Sequence, residues 1–83
     1  MYEEEIEQNI RNIISREPWL LHQVDFNDGY VALALSVPTD MSFKYVSLAL
    51  GTKATPIMHL DNSDPLMETW ICIIEPGDVH ALQ

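Results

Sequence analysis

The sequence predicts an α+β domain in the order α-β-β-α-β-β, a four-stranded, mainly antiparallel sheet with two helices on one face. Three observations predict it. An isoleucine stripe at helical spacing opens the chain, two alternating apolar runs meet at Asp28-Gly29, and two further runs flank the turn-forming stretch DNSDP. Together they fit one domain over residues 1–83.

The first helix is expected from Tyr2 to Glu17. Ile6, Ile10, Ile13 and Ile14 fall at the i, i+4, i+7, i+8 spacing of one helix face, and Tyr2 extends that stripe backwards. Glu3, Glu4 and Glu5 crowd its start while Arg11 and Arg16 lie towards its end, an arrangement that complements the helix dipole. Pro18 stops it, because proline disfavours helical geometry at the residue before it.

A hairpin follows. Upstream of Asp28-Gly29, strict alternation puts Leu20, His22, Val24 and Phe26 on one face and Trp19, Leu21, Gln23 and Asp25 on the other. Downstream, Val31, Leu33, Leu35 and Val37 share a face opposite Tyr30, Ala32, Ala34 and Ser36. Asp-Gly supports a tight turn because both positions tolerate positive φ.

The frame Y-V-x-L-A-L occurs twice, at Tyr30–Leu35 and at Tyr45–Leu50. The second copy reads as a helix. Thr39 and Asp40 are good N-cap types, Gly51 is suited to the position just past a helix end, and a narrow polar stripe (Asp40, Lys44, Ser47, Gly51) leaves Met41, Phe43, Tyr45, Val46, Leu48, Ala49 and Leu50 around the rest of the circumference. The i, i+4 spacing of Asp40 and Lys44 suits a weak ion pair. The alternative makes residues 45–50 a strand and the fold one helix on a five-stranded, barrel-like sheet. Beyond it, strands are expected at Ile57–Leu60 and Met67–Ile74, the latter stopped by Pro76-Gly77, with Asp78–Gln83 as a short helical turn or a frayed end. Pro18 and Pro38 bracket the first hairpin and Pro56 and Pro76 the second, so the chain parses as two consecutive helix-strand-strand units.

The charge balance narrows function. Four basic residues (Arg11, Arg16, Lys44, Lys53) face thirteen acidic ones, a net charge of 4 − 13 = −9. Affinity for nucleic acid comes from neutralising phosphates with Lys and Arg, so direct binding is disfavoured, as is an anionic membrane surface. A basic surface on another protein is the expected partner. No apolar run is long enough to span a bilayer, and MYEEEIEQN is acidic where a signal peptide is basic and then apolar, so the expected location is the cytoplasm. The lone Cys72 forms no internal disulfide and fits a reducing compartment.

No constellation of residues points to catalysis, a metal or a cofactor. His22, His59, His80 and Cys72 show no paired ligand spacing, although His22 and His59 begin equivalent hairpins and a sheet would allow them to approach. DFNDG and DNSDP miss the register of a calcium loop and read as turns. Cys72 sits within TWICII, where a buried, inert thiol is expected. In that run Trp70, Cys72 and Ile74 share one face and Ile71 and Ile73 the other. The run is therefore either a central strand of a self-sufficient core or needs a second cover: the C-terminal tail, a folded-over sheet, a partner protein, or a homodimer through Trp70–Ile74. Glu68 and Glu75 flank it as charged gatekeepers.

The expectation is therefore a small, acidic, non-enzymatic protein-binding module. An inhibitor, adaptor or immunity-type regulator, of the kind phages and mobile elements encode, fits that description. The candidate contacts are Glu3, Glu4, Glu5 and Glu7 in the first helix, Asp25, Asp28, Asp61 and Asp64 around the turns, and the aromatic residues Tyr30 and Trp70. The alternative is a nucleic-acid mimic whose carboxylates occupy the site of a DNA- or RNA-binding protein.

Overall fold

The computed structural model describes residues 2–75. Helix α1 spans Tyr2–Ile14, strand β1 Leu20–Asn27, β2 Tyr30–Pro38, helix α2 Phe43–Leu50, β3 Thr55–Leu60 and β4 Met67–Ile74. The strands form one antiparallel sheet in the order β1-β2-β4-β3, open at both edges and not closed into a barrel. The fold is α+β in the predicted order. Residues 76–83 lie outside the described residues, and with them the Pro76-Gly77 stop and the expected tail turn.

The two copies of Y-V-x-L-A-L take different structures because their boundaries differ. Tyr30–Leu35 follows Asp28-Gly29, with Gly29 at φ 80°, and enters β2. Tyr45–Leu50 lies between an N-cap and Gly51 at φ 76°, whose N–H donates to Ser47 O at 2.8 Å, and closes a helix. The cap itself is Ser42, whose Oγ accepts the Lys44 N–H at 3.1 Å, and not Thr39 or Asp40. Asp40 therefore precedes the helix, and the expected i, i+4 pair with Lys44 does not form. Met41 also stands outside the helix, where its Sδ accepts the Trp19 Nε1–H at 3.0 Å.

Helix α1 ends three residues before Glu17. Arg16 N–H and Glu17 N–H reach back three residues, to Ile13 O and Ile14 O at 3.2 and 2.9 Å, tightening the last turn ahead of Pro18. Strand β3 begins two residues before Ile57, at Thr55, and accommodates Pro56 because it is an edge strand.

Both edge strands carry a bulge. On β1 the pairing steps from Leu21↔Leu35 to Gln23↔Ala34, leaving His22 as the extra residue. Strict alternation is broken there, so Leu21 joins Val24 and Phe26 on the helix side while Leu20 is 58% exposed. On β3 the step runs from Pro56↔Cys72 to Met58↔Ile71, with Ile57 extra. Bulges twist edges away from further pairing.

The core lies between the helices and one sheet face. Ile6, Ile10 and Ile14 of α1, Val46 and Leu50 of α2, and Val31, Leu33, Leu35 and Val37 of β2 are buried, together with Trp19, Cys72 and Ile74. Trp19 meets Tyr45 edge-on at 6.0 Å, linking the start of the first hairpin to α2.

Candidate functional site

The structure distributes the acidic candidates over separate regions. Glu3, Glu4 and Glu5 are exposed in the first turn of α1, where carboxylates face the positive end of the helix dipole. Glu7 is held by Arg11, one turn on, at 2.8 Å. Asp25 lies opposite Ala32 on the sheet face away from the helices and accepts a hydrogen bond from Gln23 Nε2 at 2.7 Å. Asp28 sits in the β1–β2 turn, just before Tyr30, which is 39% exposed.

Asp61 and Asp64 belong to the β3–β4 turn. Its shape comes from side chains accepting backbone N–H groups two residues on: Asn62 Oδ1 takes Asp64 N–H and Asp64 Oδ1 takes Leu66 N–H, both at 2.9 Å. Antiparallel pairing of β2 with β4 sets Val31 against Ile74 and Pro38 against Met67, so the two turns stand at opposite ends of the sheet. Seven residue steps separate them, roughly 24 Å at strand rise. The carboxylates thus frame the sheet in two groups and do not merge into one patch.

Trp70 faces the helix side and is half-buried. Phe43 packs edge-on against it at 6.0 Å, His59 stacks at 4.6 Å, and its Nε1–H donates to Glu68 Oε1 at 3.2 Å. It therefore serves the core margin and is set apart from Tyr30. His22 and His59 stand on β1 and β3, the two opposite edges, and do not approach each other. β4 is paired along both edges, so self-association through Trp70–Ile74 cannot proceed by strand pairing; only the open side, with half-buried Ile71 and Ile73, remains for a second cover.

That open side carries a polar row. His22 Nε2 meets Ser36 Oγ at 2.7 Å, Ser36 Oγ meets Thr69 Oγ1 at 2.7 Å, and Asn62 Nδ2 donates to Thr69 Oγ1 at 2.9 Å. The row crosses from β1 over β2 and β4 to the β3–β4 turn, lining a cleft of about 480 Å³ with Leu20, Asp61 and Asp64 at its margin. A serine hydroxyl against a histidine ring also occurs in nucleophilic catalysis. Here Ser36 is only 2% exposed and its oxygen is shared with Thr69. The row was not apparent from the sequence, because it depends on the β2–β4 register and the β1 bulge. The polar residues Ser36 and Thr69 among apolar strand neighbours were its only signal.

Burial pushes the Cys72 thiol up to about 12, so it stays protonated and unreactive at neutral pH. Among the described residues no group of His, Cys, Asp or Glu is arranged to hold a metal ion, and no helix is long and apolar enough to cross a membrane.

The sequence also gave no sign of where exposed apolar side chains gather. Tyr45, Leu48, Ile57, Met58 and Leu66 all belong to the second half of the chain, against Leu20 and Tyr30 in the first. No family model, curated protein or solved structure matches the chain.

Proposed function

We propose that the protein is a non-enzymatic binding module, an inhibitor, adaptor or immunity-type regulator, that meets a basic surface of another cytoplasmic protein. One observation carries this reading. Asp25, Asp28, Asp61 and Asp64 are exposed, and none of them has a basic partner among the described residues. Each carboxylate is free to meet a lysine or arginine of a partner that spans the sheet from one turn to the other. Such charges chiefly steer encounter and fix orientation.

The nucleic-acid mimic reading uses the same carboxylates and rests on their spacing, two groups about 24 Å apart at opposite ends of the sheet. Capture from a lysate of the source cells tests both. Asn in place of the four Asp residues keeps the turn-forming Oδ1 acceptors and removes the charge. Loss of the captured protein in that variant is expected; retention at wild-type yield would overturn the proposal. A steep fall of affinity between low and moderate salt, on a captured nucleic-acid-binding protein, selects the mimic.

A further inference from the structure

We infer that the groove between α2 and the turn into β3 docks an acidic peptide segment, with an apolar side chain seated in the groove and carboxylates on either side. This surface is distinct from the carboxylates above and has the opposite local charge. The groove is open to solvent, has a volume of about 730 Å³, and is lined by Phe43, Ser47, Leu48 and Ala54 with Lys44 and Lys53. These are the only two lysines in a chain of net charge −9. Both are exposed, neither makes an ion pair among the described residues, and no acidic side chain lines the groove.

The floor is fixed before any partner arrives. Ser47 Oγ donates to Phe43 O and accepts the Ala54 N–H, both at 2.9 Å, which ties the turn after α2 back to the helix. Phe43 is held in place against Trp70. On the rim, Leu48 is 77% exposed, an apolar side chain that packs against nothing sufficient to cover it. A preorganised apolar floor with ammonium groups beside it favours a ligand that buries one side chain and presents carboxylates to the lysines.

Charge selects among occupants. A basic peptide would meet two like charges at the groove itself. A nucleic acid would find only these two cations against the field of the whole chain, too few to neutralise a phosphate backbone. The groove is open to solvent along its length, so it cannot enclose most of a small apolar ligand as such sites require. A second copy brings a net charge of −9, several times that of a short acidic segment, so repulsion weighs far more against it.

A random heptapeptide display library selected on the full-length protein tests this. The expected result is enrichment of peptides with a Leu, Phe or Trp flanked by Asp or Glu. In amide NMR spectra these should shift resonances of residues 43–54. The double substitution K44E/K53E, on two exposed side chains, should weaken an enriched peptide at least tenfold while leaving the remaining spectrum in place. Leu48→Asp should also weaken it, which separates a seated apolar group from simple ion pairing. Enrichment of basic or uncharged peptides, shifts centred elsewhere, or equal affinity for K44E/K53E would overturn the inference. So would sedimentation showing a dimer that Leu48→Asp dissolves, since the groove would then belong to a second copy.

Discussion

The two helix-hairpin units share one plan and differ in how completely they are covered. Strands β2 and β4 pair antiparallel about the Ala34↔Ile71 position, and the bulges of both edge strands fall beside that pair, at Gln23 and at Met58. Around this approximate two-fold, α1 has 13 residues and buries Ile6, Ile10 and Ile14, whereas α2 has 8 and buries Val46 and Leu50. The helix face of β2 is buried from Val31 to Val37; that of β4 is buried only at Cys72 and Ile74, with Glu68 and Trp70 half-exposed. The shorter helix falls about 7.5 Å short of α1 in length. The uncovered apolar side chains, Leu48, Ile57 and Met58 among them, are where the second unit lacks what the first has. Buried apolar side chains are concentrated in the first unit and exposed ones in the second.

The largest expected effect tests that division directly. Leu33→Ala, at a fully buried position of β2, should cost about 2–5 kcal/mol in urea unfolding, since the lost methyl groups leave a cavity in the core. Ile57→Ala, at a 57% exposed position of β3, should stay within about 0.5 kcal/mol. Comparable losses at the two sites would mean that Ile57 is covered and the contrast between the units is false.

Cys72 gives the second test. It occupies in β4 the place that Leu35 holds in β2, a small sulfur-bearing side chain at a fully buried site. The unfolded thiol ionises near its ordinary value of 9.0, while the folded thiol stays protonated to about 12. Above pH 9 the unfolded chain therefore gains free energy from ionisation that the folded chain does not. Stability is unaffected by this group below pH 9 and falls as pH rises from 9 towards 12, by about 1.4 kcal/mol per unit at the steepest. The measurement is the difference in alkaline slope between wild type and Cys72→Ala, in which contributions common to both chains cancel. Equal slopes would place Cys72 in contact with water.

Much of this architecture was legible because local signals agreed. The isoleucine stripe, Asp28-Gly29 and the Gly51 stop each act within a few residues, and each places its element correctly. What the sequence hid depends on pairing between distant segments. Strict alternation mis-assigned the face of Leu21 because one inserted residue, His22, reverses the parity of everything before it. A sheet leaves room for His22 and His59 to approach, but strand order, which hairpin position does not reveal, puts them on opposite edges. The carboxylates were visible as a count, but their division between two ends of the sheet required the β2–β4 register. The groove needed the turn after α2 to fold back on Ser47, a contact no periodicity encodes.

A smaller effect is expected at the start of the shorter helix. Ser42 caps α2, and an eight-residue helix has few hydrogen bonds with which to absorb the loss of one at its end. Ser42→Ala should cost about 1 kcal/mol, and Ser42→Asp should restore most of it. Amide exchange in residues 43–50 should accelerate in the alanine variant, while α1 exchange should change only as global stability does. Acceleration in both helices alike would show that they open together and that the units are not separable.

The smallest effect concerns what joins the units on the side away from the helices. Ser36 of the first and Thr69 of the second share a hydrogen bond at 2.7 Å, extended to His22 on one side and to Asn62 on the other. Ser36 is nearly sealed from water, so Ser36→Ala removes a satisfied donor and leaves Thr69 with Asn62 alone. A cost of about 1 kcal/mol is expected, with a similar cost for Thr69→Val. If the row acts as one network across the sheet, the two losses overlap, and the double variant should fall short of their sum by roughly 0.5 kcal/mol or more. His22→Ala should then couple to Thr69→Val as well, although the two side chains meet only through Ser36. Strict additivity of all three would reduce the row to independent contacts. The two units would then be joined through the backbone ladder of β2 and β4 and the common core alone, and the cleft above the row would have no rigid polar floor to offer a partner.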